Sequence, residues 1–391
     1  MEDKAKSHNN APIVLLMVLM YVIVAMSDNF KGIFVPFFKA DFGVNNTQIG
    51  YVMTASLFSY AVFQFIGGML VEKLGHKKVI ALGFIVAIAA LIILITSNTY
   101  ILLLIGLFIL NSGIAMFNVG VNTLGPILTV ASTAVLMNFV NFSYGASNTV
   151  IQKVAGSLLN NGFKWQRFYF FMLICCLILL AYLALLKIPY EYKSKAVNNN
   201  KTVLFKNKML YFYILALGLY LATEYGIGNW FVNYMNEGFN LNADKRSLYI
   251  ALFFGLETLG RLFGGFIVDR LGYFKSILIY GCIASVLVTL GIALGQSGLI
   301  IFSISGLFFS IIYPTIMTTI PLVFKETAAY ATGLILMCGT LIAMVVSMLI
   351  GLANDLIGVY YSFYSIAVCL ILATLMLLLI KKVQEISIFK A

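Results

Sequence analysis

Charged and catalytically reactive side chains are what this sequence has least of. Only 10% of its 391 residues are charged, 62% are hydrophobic, and it contains 2 histidines. Soluble domains carry about 25% charged residues, so this composition excludes a soluble globular domain. The histidines, His8 and His76, lie in a tail and a loop, and the sequence contains no nucleophile triad, metal-ligand cluster or nucleotide-binding loop. We therefore expect no enzyme activity, no catalytic residue, no metal site and no cofactor.

Apolar runs recur along the whole chain, each about as long as the ~20 residues that an α-helix needs to cross a bilayer. They do not alternate every second residue as the strands of a membrane barrel do. The cysteines all fall within these runs and are interpreted as small packing residues. We predict an all-α membrane protein with twelve transmembrane helices, numbered as spans in chain order. The spans that carry candidate residues are span 1 at about 11–38, span 2 at about 48–71, span 4 at about 100–125, span 5 at about 131–159, span 7 at about 209–236, span 8 at about 247–268 and span 10 at about 298–322.

The formal net charge of +11 does not indicate nucleic-acid binding. If both termini are inside, a twelve-span arrangement places most lysines and arginines on inside loops and tails, where the positive charge of short loops stays. The positive charge therefore sets the orientation of the chain in the membrane and favours contact with anionic lipid. We expect a monomeric, multi-pass protein of the cell membrane with both termini cytoplasmic. Its expected partners are the bilayer and a small solute, and no nucleic acid.

One stretch of the chain occurs twice. Positions 68–78 read GMLVEKLGHKK and positions 265–275 read GFIVDRLGYFK. Each copy lies between two apolar runs, and the copies begin half a chain apart, so a chance glycine-rich turn does not account for both. The glycines allow helix ends to approach closely, and each carboxylate is suited to cap a neighbouring helix N-terminus. The acid–base pairs of the two copies are therefore candidates for gating or ion pairing: Glu72, Lys73, Asp269 and Arg270.

The repeated stretch resembles the loop between spans 2 and 3 of the major facilitator superfamily, which reads G-x-L-x-D-R-x-G-R-R/K. Glu72 stands here for the usual Asp, and His76 for one of the usual arginines. The resemblance implies two parallel six-helix bundles that work by alternating access, with the substrate site between them near the midplane. On that basis we divide the chain into an N-terminal bundle at 1–188, a cytoplasmic linker at 189–208 and a C-terminal bundle at 209–391.

Six ionisable side chains fall inside predicted spans. Each costs at least ~2.5–3.5 kcal/mol to insert, so we expect them to face the bundle interior and not lipid. They are Asp28, Lys31, Lys153, Glu224, Glu257 and Arg261.

Asp28 and Glu224 are the predicted proton-coupling residues. Their separation nearly equals that of the two repeats, so they occupy equivalent places in spans 1 and 7, which in this fold face each other across the central cavity. A low-dielectric cavity favours the neutral form of a carboxyl group, which allows it to hold a proton. Local pairing is the alternative for Asp28, because Lys31 lies three residues further along the same helix face.

Glu257 and Arg261 are four residues apart, in the order that favours a helical ion pair. Such a pair either lets span 8 insert at low cost or takes part in gating or substrate binding, and both interpretations stay open. The spacing of the repeats aligns Arg261 with Gln64 in span 2, a further candidate for the cavity. Lys153 in span 5 is interpreted as a ligand of an anionic or hydroxylated substrate, or as a counter-charge for one of the acids.

Neutral amide side chains are frequent in spans 4, 5 and 7. A few amides can link membrane helices at ~0.6 kcal/mol each, but a row of them beside aromatic rings suits an uncharged, polyhydroxylated ligand. The substrate-binding candidates, besides Lys31, Gln64 and Lys153, are Asn118, Asn122, Asn141, Tyr144, Asn148, Asn229, Trp230 and Asn233.

Three further stretches resemble the fucose/glucose-type sugar:proton symporters within the superfamily. Positions 218–234 are similar to their span 7, positions 259–265 to their span 8 and positions 310–317 to their span 10, which adds Tyr313 to the substrate-binding candidates. The chain departs from that family at Gly32 and Asn118, where the family usually carries acids. The resemblance implies a secondary active transporter that takes up a monosaccharide, or a similar small polar solute, together with a proton.

Three other functions stay open. Proton-coupled export of drugs or metabolites is disfavoured because span 5 lacks the Gly-Pro-rich motif that such antiporters usually carry. Transport of an organic anion or amino acid would use Lys31, Lys153 and Arg261. A receptor or scaffold is disfavoured by the paired repeats and by the lack of any large polar stretch that would form a soluble domain.

Overall fold

The computed structural model describes residues 10–44, 46–128, 131–188, 204–241 and 243–389, and nearly all of them are helical. Each long helix coincides with one of the apolar runs. The helices in the first half of the chain are α1 (Ala11–Ile33), α2 (Val35–Phe42), α3 (Asn46–Leu74), α4 (His76–Ile95), α5 (Tyr100–Leu124), α6 (Thr133–Asn160) and α7 (Trp165–Leu185).

The second half repeats this arrangement with more interruptions. Its helices are α8 (Lys208–Phe239), α9 (Ala243–Leu271), α10 (Tyr273–Ala293), α11 (Leu299–Ile304), α12 (Gly306–Phe309), α13 (Ile312–Phe324), α14 (Ala328–Ile357), α15 (Val359–Ser362) and α16 (Tyr364–Phe389).

These helices make twelve membrane crossings. Within the described residues, 10 stretches are long and apolar enough to span a bilayer. The longest, Gly295–Asn354, contains two crossings, because the turn Lys325–Thr327 interrupts it and α14 packs back against α13. The remaining crossing is α6, whose 28 residues exceed the ~20 that a span requires, although its amides make it less apolar. The chain is therefore a multi-pass membrane protein, as its sequence predicts.

Proline accounts for two of the interruptions. Pro36 follows the break at Phe34 between α1 and α2, and Pro314 follows the break at Ser310 between α12 and α13. A proline ring clashes with the carbonyl group four residues earlier and removes one N–H from the helix ladder. Both breaks accordingly lie within the turn that precedes the proline.

The two copies of the repeated stretch form the same tight connection. Gly75 joins α3 to α4 with φ 80°, and Gly272 joins α9 to α10 with φ 82°. A residue with a side chain rarely adopts a positive φ, whereas glycine adopts it readily. A single glycine is therefore enough to separate two long helices in each half.

The apolar interior forms two large clusters. The first consists of residues between positions 13 and 183, and the second of residues from the other half joined by Val71, Val79, Met116 and Val119. The division into bundles at 188 and 209 stays a prediction, since positions 189–203 of the linker lie outside the described residues.

The halves meet tightly at the end of the bundle that carries positions 68–78 and 265–275, which we call the motif end. A Cβ on Gly68 of α3 would lie 2.5 Å from the carbonyl oxygen of Ala329 in α14. A Cβ on Gly265 of α9 would collide with the backbone of Ala134 and Val135 in α6. These backbones can touch only because glycine has no side chain. The space between the halves is thus closed at the motif end.

Glu72 adds a polar contact to this closure. Its Oε1 accepts a hydrogen bond of 3.0 Å from the backbone N–H of Tyr330, in the first turn of α14. The first N–H groups of a helix have no partner within the helix, and the helix dipole favours negative charge there. The carboxylate of one half therefore holds the start of a helix from the other half. The other three gating candidates of the two repeated stretches are exposed at the motif end: Lys73, Asp269 and Arg270.

Candidate functional site

A central cavity lies between the two halves. Its walls come from α1, α3, α5 and α6 on one side and from α8, α9, α13 and α14 on the other. The structure brings nine of the sequence candidates together there: Asp28, Lys31, Gln64, Asn118, Asn141, Tyr144, Glu224, Arg261 and Tyr313. Asp28 and Glu224 therefore share one cavity, to which each half contributes one of the acids.

The α1 side of the cavity carries an ion pair. Lys31 Nζ lies 2.9 Å from Asp28 Oδ1 and also donates a 2.9 Å hydrogen bond to Asn111 Oδ1. The hydroxyl of Tyr144 donates to Asp28 Oδ2 at 3.0 Å. Both oxygens of Asp28 thus have a donor, and the contact with Lys31 that the sequence offered as an alternative role for Asp28 is present.

The opposite side of the cavity carries two acids and one base. Arg261 Nη2 donates to Glu257 Oε1, four residues earlier in α9, and lies 3.4 Å from Glu224 Oε1 of α8. The Arg261 and Glu257 side chains are 7% and 2% exposed, so this pair is shielded from water. The ion pair that the spacing predicts is present, and it also includes the predicted proton-coupling acid of the second half.

A network of hydroxyl and amide groups also connects the two halves. The Nδ2 of Asn122 lies 2.9 Å from the backbone carbonyl oxygen of Asn118, 3.2 Å from the Tyr21 hydroxyl, 3.2 Å from Asn118 Oδ1 and 3.5 Å from the Tyr313 hydroxyl, so its two N–H groups are shared among these acceptors. This network joins α1 and α5 of one half to α13 of the other. Amides and hydroxyls both donate and accept, so the same groups can bond the hydroxyls of a ligand.

Gln64 supplies a second link between the halves. Its Oε1 accepts a 3.1 Å hydrogen bond from the hydroxyl of Thr340 in α14, and the residue is only 2% exposed. Both residues line the cavity, so the link lies at its wall.

Several predicted substrate-binding residues lie outside the cavity. In α8, Asn229 is exposed and donates to the Ser347 hydroxyl at 3.1 Å, while the Trp230 ring packs near Gly351, because that face of α8 is turned toward α14. Asn233 lies one turn further along the same helix. In α6, Asn148 accepts a 2.7 Å hydrogen bond from Asn29. Lys153 belongs to α6, but its side chain lies outside what the structure describes.

Five polar cavity residues were not among the sequence candidates. Helical spacing is the signal that finds three of them, since residues about one or two turns apart share a helix face. Tyr21 lies two turns before Asp28, Asn111 two turns before Asn118, and Tyr60 one turn before Gln64. The full set is Tyr21, Tyr60, Asn111, Tyr225 and Thr340.

Water reaches this cavity from the end opposite the repeats. The Asp28 side chain is 37% exposed and Tyr225 is 36% exposed. Since the motif end is closed, we infer that the cavity opens at the opposite end.

Comparison with known proteins supports this architecture. A family model described as Major Facilitator Superfamily matches residues 17–345 and 214–389. A Brucella abortus protein named glucose/galactose transporter is 23% identical over 377 residues, which cover 91% of this chain and 90% of that protein. A TsgA homolog of Buchnera aphidicola is 24% identical over 307 residues, covering 77% of this chain and 78% of the other.

Among solved structures, the E. coli fucose:proton symporter FucP is similar to this chain with a TM-score of 0.80. The alignment covers 94% of this chain and 98% of the symporter, at 18% sequence identity. At this identity the similarity shows a common fold, and it does not by itself transfer a substrate.

Proposed function

This chain belongs to the major facilitator superfamily, and from this premise we propose that it takes up a monosaccharide, or a similar small polar solute, together with a proton. The cavity between the halves is the observation that carries the proposal. It combines a buried acid–base cluster with amides from the first half and hydroxyls from both halves. The names of the Brucella abortus transporter and of the fucose symporter agree with a sugar as the solute.

The chemistry of the cavity wall favours an uncharged, hydroxylated solute. Asn118, Asn141 and Gln64 offer amides, and Tyr144 and Tyr313 offer hydroxyls beside aromatic faces. Each sugar hydroxyl can donate and accept, as these groups do. We propose these residues, with Asn122 behind them, as the substrate-binding set.

An organic anion fits this cavity less well. In the part of the cavity that the structure describes, Lys31 is bound to Asp28, and Arg261 to Glu224 and Glu257, so three acids face two bases there. A carboxylate solute would have to displace a carboxylate of the protein from its cation, or enter a cavity whose fixed charge is already negative. We therefore consider transport of an organic anion less favoured than transport of a sugar.

Alternating access would follow from rocking the halves about the solute. The motif end is closed by the contacts of Gly68 and Gly265 in this state, so the cycle requires those contacts to separate. We propose that Glu72, Lys73, Asp269 and Arg270 govern this separation. We also propose that the motif end and both termini face the cytoplasm of a cell whose plasma membrane holds the protein, and that it acts as a monomer.

Uptake by reconstituted vesicles tests this function. We expect purified protein in liposomes to accumulate labelled glucose, galactose or fucose when the outside is more acidic, and Glu224→Gln to abolish accumulation. Glu237→Gln is the matched control, because Glu237 is an exposed carboxylate near the end of the same helix. Sugar entry that ignores the pH gradient would contradict proton coupling, and the absence of entry for every sugar would contradict the solute.

A further inference from the structure

Glu257 has a buried carboxyl group to which the proposed sugar uptake assigns no role. Its side chain is 2% exposed, and its Oε1 is bound to Arg261. Its Oε2 is buried and has no hydrogen-bond partner. A buried, ionised oxygen without a donor is costly, whereas a protonated carboxyl group carries a donor of its own. The second oxygen of Glu257 is therefore a place where a proton is stabilised.

Glu224 approaches the same guanidinium from another helix. Its Oε1 is 3.4 Å from Arg261 Nη2, the nitrogen that also donates to Glu257 Oε1, so both carboxyl groups contact one nitrogen. Two ionised carboxylates offer only acceptors, so they can bond each other only when one is protonated. The single positive charge of Arg261 lies between two acids, and its Nε is itself without a hydrogen-bond partner.

Among the residues of the cavity wall that the structure describes, no other cation compensates the second acid. Lys31 is bound to Asp28 and Asn111 on the far side. The other described titratable groups that interact with the Glu224, Glu257 and Arg261 cluster are phenols: Tyr220 and Tyr225 in α8, Tyr144 in α6, Tyr313 in α13 and Tyr21 in α1. Phenols are uncharged near neutral pH. With every acid ionised the cavity would hold one excess negative charge, and one proton removes it.

We propose that Glu224 and Glu257 share one proton beside Arg261, and that this carboxyl pair is the proton site of the transporter. The proton is taken from water in the open cavity and released to water on the other side, and no other bond is made or broken. Asp28 is not part of this pair, because Lys31 and the Tyr144 hydroxyl already donate to its two oxygens. Loss of the proton would leave two ionised carboxylates next to one guanidinium. Their mutual repulsion would favour a different arrangement of α8 and α9.

Infrared spectroscopy of the purified protein tests the shared proton without any sugar. We expect the carbonyl band of a protonated carboxyl group near neutral pH in the wild type, and its loss in Glu257→Gln and in Glu224→Gln. Asp28→Asn and Glu237→Gln should keep the band, because neither changes the pair. A wild-type spectrum without the band overturns the proposal whether or not the variants fold, and so does a band that disappears in Asp28→Asn but persists in Glu257→Gln.

Transport measurements separate a proton site from a merely structural ion pair. This part rests on the proposed sugar uptake. We expect Glu257→Gln to exchange labelled sugar across the vesicle membrane but to lose accumulation driven by a pH gradient. Wild-type-like accumulation in this variant, or loss of exchange and accumulation together in a variant that keeps the melting temperature, contradicts the proposal. If the wild type moves no sugar, the proposed function fails, while the infrared result still decides the carboxyl pair.

Discussion

At the scale of single residues, the two acids predicted to couple protons have different surroundings. Asp28 receives Lys31 on one oxygen and the Tyr144 hydroxyl on the other, at 2.9 and 3.0 Å. Glu224 has only a guanidinium at 3.4 Å, which it shares with Glu257. A carboxylate whose two oxygens both have donors is stabilised in its ionised form. The proposed proton site therefore includes Glu224 and excludes Asp28.

Substitution of a cavity amide should weaken sugar binding without abolishing transport. Asn141 lines the cavity and is 4% exposed. One neutral hydrogen bond contributes about 0.5–1.5 kcal/mol, so Asn141→Ala should raise the apparent KM for the sugar by about 2- to 10-fold. Asn229→Ala is the control, because Asn229 lies outside the cavity on the face toward α14. An equal change in both variants would argue against the assigned cavity face, and the measurement is initial uptake rate against sugar concentration.

Substitution of Lys31 should destabilise the protein, because the Asp28 carboxylate then lacks its cation. Lys31→Met leaves the Asp28 carboxylate without its cation and Asn111 without a donor. Breaking one half of such a pair costs more than removing both, since an uncompensated charge remains. We expect a lower melting temperature in detergent for Lys31→Met, and partial recovery in the double variant Asp28→Asn with Lys31→Met. Additive losses in the double variant would show that the pair does not act as a unit.

At the scale of helices, the closed end depends on two close backbone contacts. The α3–α14 contact at Gly68 and the α6–α9 contact at Gly265 occur at equivalent positions of the two repeats. Each joins a helix of one half to a helix of the other. Bulk added at either position must be accommodated by moving backbone, which costs more than moving a side chain.

Gly265→Ala should therefore open the motif end. An added methyl group in a packed contact costs about 1–3 kcal/mol, and the halves avoid this cost by separating. The control is Gly255→Ala in the same helix, where a Cβ would meet nothing within 4 Å. Spin labels on cysteines replacing Lys78 and Lys275, both exposed at the motif end, measure the separation in a background without native cysteines. We expect a second, longer distance only in Gly265→Ala, and identical distance distributions would refute the role of this contact.

At the scale of the whole molecule, an even number of crossings places both chain ends on one side of the membrane. The lysines and arginines of the short loops determine which side that is. The turn Gly295–Gly298 between α10 and α11 lies on the opposite side from the repeats. The orientation of the cavity relative to the cell follows from this arrangement.

Reporter fusions test the orientation. Alkaline phosphatase, which is active only outside the cytoplasm, should be inactive when fused after Ala391 and active when fused at Gln296. We expect this result because the positively charged loops stay inside. The reverse pattern would place the open cavity toward the cytoplasm and would turn the proposed uptake into export.

The sequence alone determines those properties of this protein that depend on local cost. A helix must supply about 20 apolar residues to cross a bilayer, and each ionisable side chain within it carries an insertion penalty. The spans, the repeat and the buried acids can therefore be predicted from composition and spacing. Helical periodicity would also have found Tyr21 and Asn111, which lie on the same faces as Asp28 and Asn118.

Only the tertiary structure decides which of these groups meet. The rotation of α8 sends Glu224 toward Arg261 but turns Asn229 toward Ser347, although the two residues are little more than a turn apart. Glu257 and Arg261 are neighbours by helical spacing, but the approach of Glu224 from another helix turns that pair into two acids around one base. Such contacts depend on how helices are packed and rotated against each other, and insertion cost, a property of each helix by itself, does not specify them.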